Sequence, residues 1–166
     1  VVELNVRDSS PGSYNTTVEA TSANAGANVT VMTIVRSPMP DLMVTEIALN
    51  CGYLFANESN EICAVIKNNG SGDALPFNVS FIIGGFSKKE HVNGLAAGAN
   101  TTICITDPTK RNADGSVTII VTADCDNKIN ETNEMNNDKS TEKIVVNNGY
   151  KGKRYTGGED ISTWRT

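Results

Sequence analysis

The chain has 166 residues and a formal net charge of −5, and 49 of its residues are Asn, Ser or Thr against nine aromatics. That length allows one domain of about 100–150 residues plus a remainder. The acidic balance of 14 Lys and Arg against 19 Asp and Glu excludes a nucleic-acid reader, which needs a basic footprint, and no apolar run approaches the ~20 residues of a membrane-crossing helix.

The sequence opens at Val1 with no basic segment, apolar core or small-residue cleavage site ahead of it, so a piece of a longer or processed protein is expected. Residues 1–7 (VVELNVR) predict a strand and residues 8–35 a hairpin. The pair looks like the closing strands of a PKD-type or similar immunoglobulin-like domain. Residues 1–37 carry Val2, Leu4, Val6, Val29, Val31 and Val35 in alternation, too few strands to bury their own apolar face. The segment is therefore expected to dock on its own sandwich, to add a strand to the sheet edge of another copy, or to stay disordered.

From Pro40 onward period-two alternation rich in Val, Ile and Thr predicts strands at 41–49, 61–68, 76–83, 86–93, 100–106, 116–124 and 140–147, with turn clusters such as NNGSGD (68–73) and RNADG (111–115) between them. The pattern reads as an all-β antiparallel sandwich of about seven strands, immunoglobulin- or fibronectin-like, with an extra N-terminal β segment. Its expected inward set is Leu42, Val44, Ile62, Ala64, Ile66, Phe77, Val79, Phe81, Ile103, Ile105, Val117, Ile119, Val121, Ile144 and Val146. Residues 38–148 form the expected sandwich and 149–166, which lack alternation, a connector to a following domain.

Cys51, Cys63, Cys104 and Cys125 include no C-x-x-C pair, and the one histidine is His91, which disfavours a zinc site and favours two disulfides. On the predicted register Cys63 and Cys104 both point away from the core on neighbouring strands, so a cross-strand 63–104 bridge is preferred. It leaves Cys51 with Cys125 at opposite ends of a simple sandwich, unless 51–60 folds back along the sheet. Seven Asn-x-Ser/Thr sequons start at Asn15, Asn28, Asn57, Asn69, Asn78, Asn100 and Asn130, against about 3.5 expected from the composition. With the even cysteine count they predict an exported, extracellular glycoprotein.

The ordered motifs PDLMVTEI (40–47), AVIKNNGSGDALPFNVSF (64–81), LAAGANTT (95–102) and VTADCDNKINETNEMNND (121–138) resemble the CARDB family of cell-adhesion-related modules in bacterial and archaeal surface proteins. The resemblance covers about 110 residues. It implies a seven-stranded immunoglobulin- or fibronectin-like module with a structural or adhesive role and no activity of its own. With the cysteines and the tail NNGYKGKRYTGGEDI (147–161), the chain looks like surface proteins of methanogenic archaea, in which this tail leads into a further domain.

Residues 124–138 carry Asp124, Asp126, Glu131, Glu134 and Asp138 among five Asn. Asp124, Asp126 and Glu131 are weak calcium candidates: the spacing fits no EF-hand, and Asx-turns in a solvated hairpin explain the composition more simply. No metal or cofactor is therefore assigned. An enzyme is not expected. His91 stands alone, no G-x-S-x-G elbow or phosphate loop occurs, and Glu58 with Glu61, imaginable as a glycosidase pair, read as surface charges. Tyr53, Phe55, Tyr150, Tyr155 and Trp164 are the candidates for sugar stacking, but packing roles suit them better. The expected function is a spacer or adhesive module that partners with like subunits or neighbouring surface-protein domains, with carbohydrate binding as the alternative.

Overall fold

The structure, a computed structural model, describes the backbone of residues 11–22, 25–49 and 51–147, and the side chains of these apart from 14–35. The expected strand at 1–7 and the connector at 149–166 lie outside the described residues, as do the side chains of Val29, Val31 and Val35.

Strands β1 (Gly12–Ser22) and β2 (Ala25–Val35) form a two-stranded antiparallel hairpin, paired from Gly12↔Val35 to Ser22↔Ala25. The remaining strands are β3 (Leu42–Leu49), β4 (Leu54–Phe55), β5 (Asn60–Asn68), β6 (Phe77–Ile83), β7 (Phe86–Val92), β8 (Asn100–Asp107), β9 (Ser116–Thr122) and β10 (Asp138–Val146). They build two sheets, β3-β5-β8 and β4-β10-β9-β6-β7. Alternation gives each sheet one apolar face, and the two faces close on a core that includes Leu42, Ile62, Ile66, Phe77, Phe81 and Ile119. The fold is the expected all-β sandwich.

Three local features depart from simple alternation. A bulge between Val44 and Glu46 shifts the register of β3 against β5, and the Thr45 hydroxyl donates to the Val65 carbonyl at 3.1 Å. The bulge switches the inward phase, so Ile47 and Leu49 rather than even-numbered residues continue toward the core. Second, β4, where the alternation predicted no strand, runs parallel to the end of β10 and buries Leu54, Phe55 and Ala56. Third, the expected inward pair Ile144 and Val146 is corrected: Val145 is 2% exposed and Ile144 53%. The run Ile-Val-Val fits either phase, and the ladder with β9 decides. Lys143 stands opposite Val117 and Thr141 opposite Ile119, which puts 141, 143 and 145 on the core side.

The sandwich has two poles. Leu42, the end of β5, the start of β8 and the β9–β10 loop lie at one, where the chain enters. The end of β3, β4, the β8–β9 loop and the end of β10 lie at the other, where it leaves.

Candidate functional site at the entry pole

The four motifs that punctuate the sequence converge on the entry pole. Asn68, fully buried at the end of β5, uses its whole amide. Its Oδ1 accepts from the Asp41 and Gly70 backbone N–H groups at 3.1 Å each, and its Nδ2 donates to the carbonyls of Gly72 at 2.8 Å and Leu95 at 2.9 Å. One side chain thus ties the incoming chain, the β5–β6 loop and the β7–β8 loop together. The glycines of NNGSG allow it: a Cβ on Gly70 would lie 2.3 Å from the Met39 carbonyl oxygen, and one on Gly72 2.7 Å from Pro38 backbone atoms. The loop carbonyl of Leu95 and the N–H of Gly98, which donates to the Asn68 carbonyl at 2.9 Å, account for Leu95 and Gly98 in the run LAAGANTT (95–102).

The β9–β10 loop closes the same pole. Asp124 and Asn127 hold positive φ angles of 42° and 50°, conformations that Asn and Asp tolerate best among residues with a side chain. Asp124 Oδ2 accepts from the Ile129 N–H at 2.7 Å, and the Ala123 N–H donates to the Asn137 carbonyl at 2.8 Å. Glu131, buried, turns its carboxylate inward: Oε2 accepts from the Leu42 backbone N–H, and Oε1 from Asn137 Nδ2 at 2.7 Å. Glu134 accepts from the Glu131 N–H at 2.8 Å, and Asn136 Nδ2 donates to Asp41 at 2.9 Å. Burial raises the Glu131 pKa above its ordinary value, against the hydrogen bonds from Leu42 and Asn137, and the charges of Glu134 and Asp124 add to the rise. Three acceptor oxygens here have no partner: Asp124 Oδ1, Asn136 Oδ1 and Asn137 Oδ1.

Asp126, grouped from sequence with Asp124 and Glu131, is directed elsewhere. Its oxygens take the Lys89 ammonium and Asn78 Nδ2, the latter at 2.6 Å. The hydrogen bond from Lys89, followed by that from Asn78, holds the Asp126 carboxyl below its usual range. Asn78 also meets His91 Nδ1 at 3.0 Å, so the single histidine is an exposed surface contact.

Cys63 and Cys104 face one another across β5 and β8 and form a disulfide. Glu61 stands close to both sulfurs, but sulfurs bonded to each other are spent as thiolate ligands. Cys51 and Cys125 are thiols, which corrects the expected 51–125 bridge. Cys51 sits beside β4 at the exit pole, whereas Cys125 follows β9 at the entry pole and donates its N–H to the Asn78 carbonyl. A strand of seven residues lies between those ends, about 20 Å, and the 51–60 segment turns into β4 instead of folding back. Disulfide bonding needs Cα atoms within about 7 Å.

At the exit pole Tyr53, 48% exposed, joins Cys51, Asp114, Ile144 and Val146 around an open hollow of about 640 Å³, while Phe55 is buried. Phe55 lines the same hollow but is only 7% exposed, so Tyr53 supplies most of the aromatic surface there. Glu58 is half-buried and Glu61 exposed. Tyr150, Tyr155 and Trp164 lie outside the described residues. Of the sequons, Asn57, Asn69, Asn100 and Asn130 are exposed, Asn78 is half-buried, and the side chains of Asn15 and Asn28 lie outside the description. The Asn68 staple and the inward turn of Glu131 were missed in the sequence. The only signal for either was their place inside the ordered motifs.

These motifs and the two-sheet topology define an immunoglobulin-like β-sandwich module. A model of the CARDB family matches residues 39–141, and the chain belongs to that family. It is similar to the crystal structure of a CARDB domain from Pyrococcus furiosus in complex with di-metal ions, at 27% identity, with 65% of this chain and 94% of that one covered and a TM-score of 0.57. A solution structure of the same Pyrococcus domain aligns at 25% identity over 66% of this chain and 98% of that one, with a TM-score of 0.56. A domain assigned to a cell-surface protein of Methanosarcina acetivorans aligns at 28% identity over 65% of this chain and 93% of that one, with a TM-score of 0.57. No curated protein matches the chain. Among the described residues no helix is long and apolar enough to cross a membrane.

Proposed function

We propose that the chain is an extracellular structural and adhesive module of a cell-surface or filament-forming protein, in which it assembles with like subunits. The observation that carries this reading is the placement of the sandwich's two ends. The chain enters at Pro40 beside the β9–β10 loop, where the Thr132 N–H donates to the Pro40 carbonyl at 2.9 Å, and leaves after Val146 at the far end of β10. The nine residues of β10 set these points about 25 Å apart, so load applied to the chain passes along the module rather than across one end. Kinship with a domain of a cell-surface protein supports the same role.

Residues 38–148 act as the sandwich, residues 149–166 as a connector, and residues 1–37 as the contact with another copy. The β1–β2 hairpin is a two-stranded sheet of its own, and such a hairpin is marginal in water without a covering layer. Pairing with an open sheet edge of the next copy satisfies backbone donors and acceptors, and a contact between two unlike surfaces propagates without closing. Glycans belong on Asn57, Asn69, Asn100 and Asn130, which are exposed. Asn78 stays unmodified because its amide nitrogen is held by Asp126.

Sedimentation of the full chain and of a chain lacking residues 1–37 tests the assembly. The full chain should polymerise, and the truncated one should remain a monomer with nearly unchanged melting. A truncated chain that forms the same assembly, or a full chain that stays monomeric, rules it out. The alternative of carbohydrate binding rests on Tyr53 at the exit-pole hollow, and selective retention on a glycan array, lost in Tyr53→Ala, would favour it.

A further inference from the structure

The β9–β10 loop holds three carboxylates, Asp124, Glu131 and Glu134, that no cation among the described residues pairs, although Lys128 lies in the same loop and Lys89 takes Asp126. Among the described residues the ion pairs are Lys88–Glu90, Lys89–Asp126 and Arg111–Asp107, and none of them involves Asp124, Glu131 or Glu134. Asp124 is 3% exposed, and its Oδ1 has no donor. Asn137, 9% exposed, is fixed beside it by the Ala123 N–H···O bond, donates its Nδ2 to Glu131 and leaves its own Oδ1 without a donor. Asn136 repeats the arrangement, with Nδ2 on Asp41 and Oδ1 unpartnered. In each amide the donor is spent on a carboxylate and the acceptor is left over. A buried acceptor without a partner is costly, and a buried carboxylate oxygen more so. Left-over oxygens of one kind, two amide and one carboxylate, next to a second buried carboxylate, call for a species that only accepts electron pairs.

We propose that this loop binds one calcium ion through Asp124 Oδ1 and Asn137 Oδ1, with Glu131 and Asn136 contributing oxygens and water completing the shell. The donor set is all hard oxygen, mixed amide and carboxylate, which suits an ion that takes six to eight such ligands in flexible geometry. Asp126 is not part of the site, because Lys89 and Asn78 already hold its oxygens. Because Glu131 also holds the Leu42 N–H, the ion would lock the loop to the first strand of the sandwich, at the end where the chain enters.

The test is thermal melting and titration calorimetry of the full chain in EGTA and in calcium, magnesium and potassium chlorides at matched ionic strength. Calcium should bind one per chain with a dissociation constant of about 0.1–1 mM, the range of extracellular modules, and raise the melting temperature at 10 mM by about 3 °C or more. Asp124→Asn should lose that response while melting at or above the wild-type temperature in EGTA, since its amide nitrogen donates where an oxygen stood unpartnered. Asn137→Asp should do the reverse, melting lower in EGTA and gaining a larger calcium shift. Asp126→Asn should keep the wild-type response. The proposal is overturned if calcium gives no heat and no shift, if potassium gives the same shift, or if Asp124→Asn responds like the wild type. Should Asp124→Asn fail to fold, an Asn137→Asp chain whose calcium shift does not exceed the wild-type value overturns it equally.

Discussion

The two poles of the sandwich solve the same problem in opposite ways. Each must close a set of loops whose backbone groups have left the sheet ladders. At the exit pole the buried Asn60 amide exchanges two hydrogen bonds with the Phe55 backbone and donates to the Glu58 carbonyl, and one cation joins the other loops. Arg111 pairs with the fully buried Asp107, donates Nη2 to the Ile83 carbonyl at 2.9 Å, and offers its own carbonyl to the Asn57 N–H at 2.9 Å. Asp107 also accepts from the Thr109 N–H at 2.9 Å. At the entry pole no arginine takes part, and Asn68, Asn136, Asn137 and Glu131 share the work through neutral amides and a carboxylate. The first pole is balanced in charge, whereas the second carries surplus acceptors. Breaking the exit-pole ion pair leaves a buried charge uncompensated, while removing the Asn68 amide leaves only neutral backbone groups unpaired.

The sharpest break of this contrast is Arg111→Ala. Leaving Asp107 buried without its partner should cost about 3–5 kcal/mol, and native-state hydrogen exchange should show the amides of Asn57 and the β8–β9 loop losing protection first. A loss below about 1 kcal/mol, read from urea unfolding, would mean the pair is solvated. Asn68→Ala comes next. It removes four hydrogen bonds at the entry pole and should cost about 2–4 kcal/mol, with protection lost around Asp41, Gly70 and Leu95 and retained near Arg111. Uniform loss at both poles in either variant would show that they are not separable.

Removal of the disulfide by Cys63→Ser with Cys104→Ser probes what the poles share. The bridge joins neighbouring strands β5 and β8 across a sequence separation of 41, and its loss should cost about 2–4 kcal/mol, mainly by freeing the unfolded chain. Both poles should weaken equally, since neither contains it. The smallest effect lies in the two thiols, one at each pole. Alkylation without reductant should add two groups per chain, and four after reduction. Cys51, exposed, should react first. Burial, then the Asp126 carboxylate, raises the pKa of the Cys125 thiol, so its rate should be lower at neutral pH and climb as pH rises through that raised value, because the thiolate is the reactive form. Failure to alkylate either cysteine without reductant would restore a bridge between them.

Much of the fold was legible in the residues themselves. Alternation of period two is a local property, so the all-β class, seven of the strands and the neighbour relation behind the Cys63–Cys104 bridge could be read before any coordinates. The apolar pattern of β5 and β6 left a single phase open, and Ile62, Ile66, Phe77 and Phe81 are inward as expected. Where the pattern offered two phases, sequence had no means to choose. Ile144, Val145 and Val146 are all apolar, and only the ladder to β9 turned Val145 in. The bulge in β3 and the parallel strand β4 depend in the same way on partners far along the chain.

For the candidate site the division runs within single motifs. Sequence alone established a dense acidic and amide-rich loop, glycine-dependent turns and an even set of cysteines, because these are matters of composition and spacing. Tertiary structure decided which side chains meet: Glu131 reaches Leu42 across 89 residues and Asn136 reaches Asp41 across 95, while Asp126 is drawn to Lys89 and away from Asp124. It also separated Cys51 from Cys125 by the length of a strand. Contacts of that kind depend on sheet register and on which pole each loop occupies, and those are set by the packing of two whole sheets, which no local run of residues encodes.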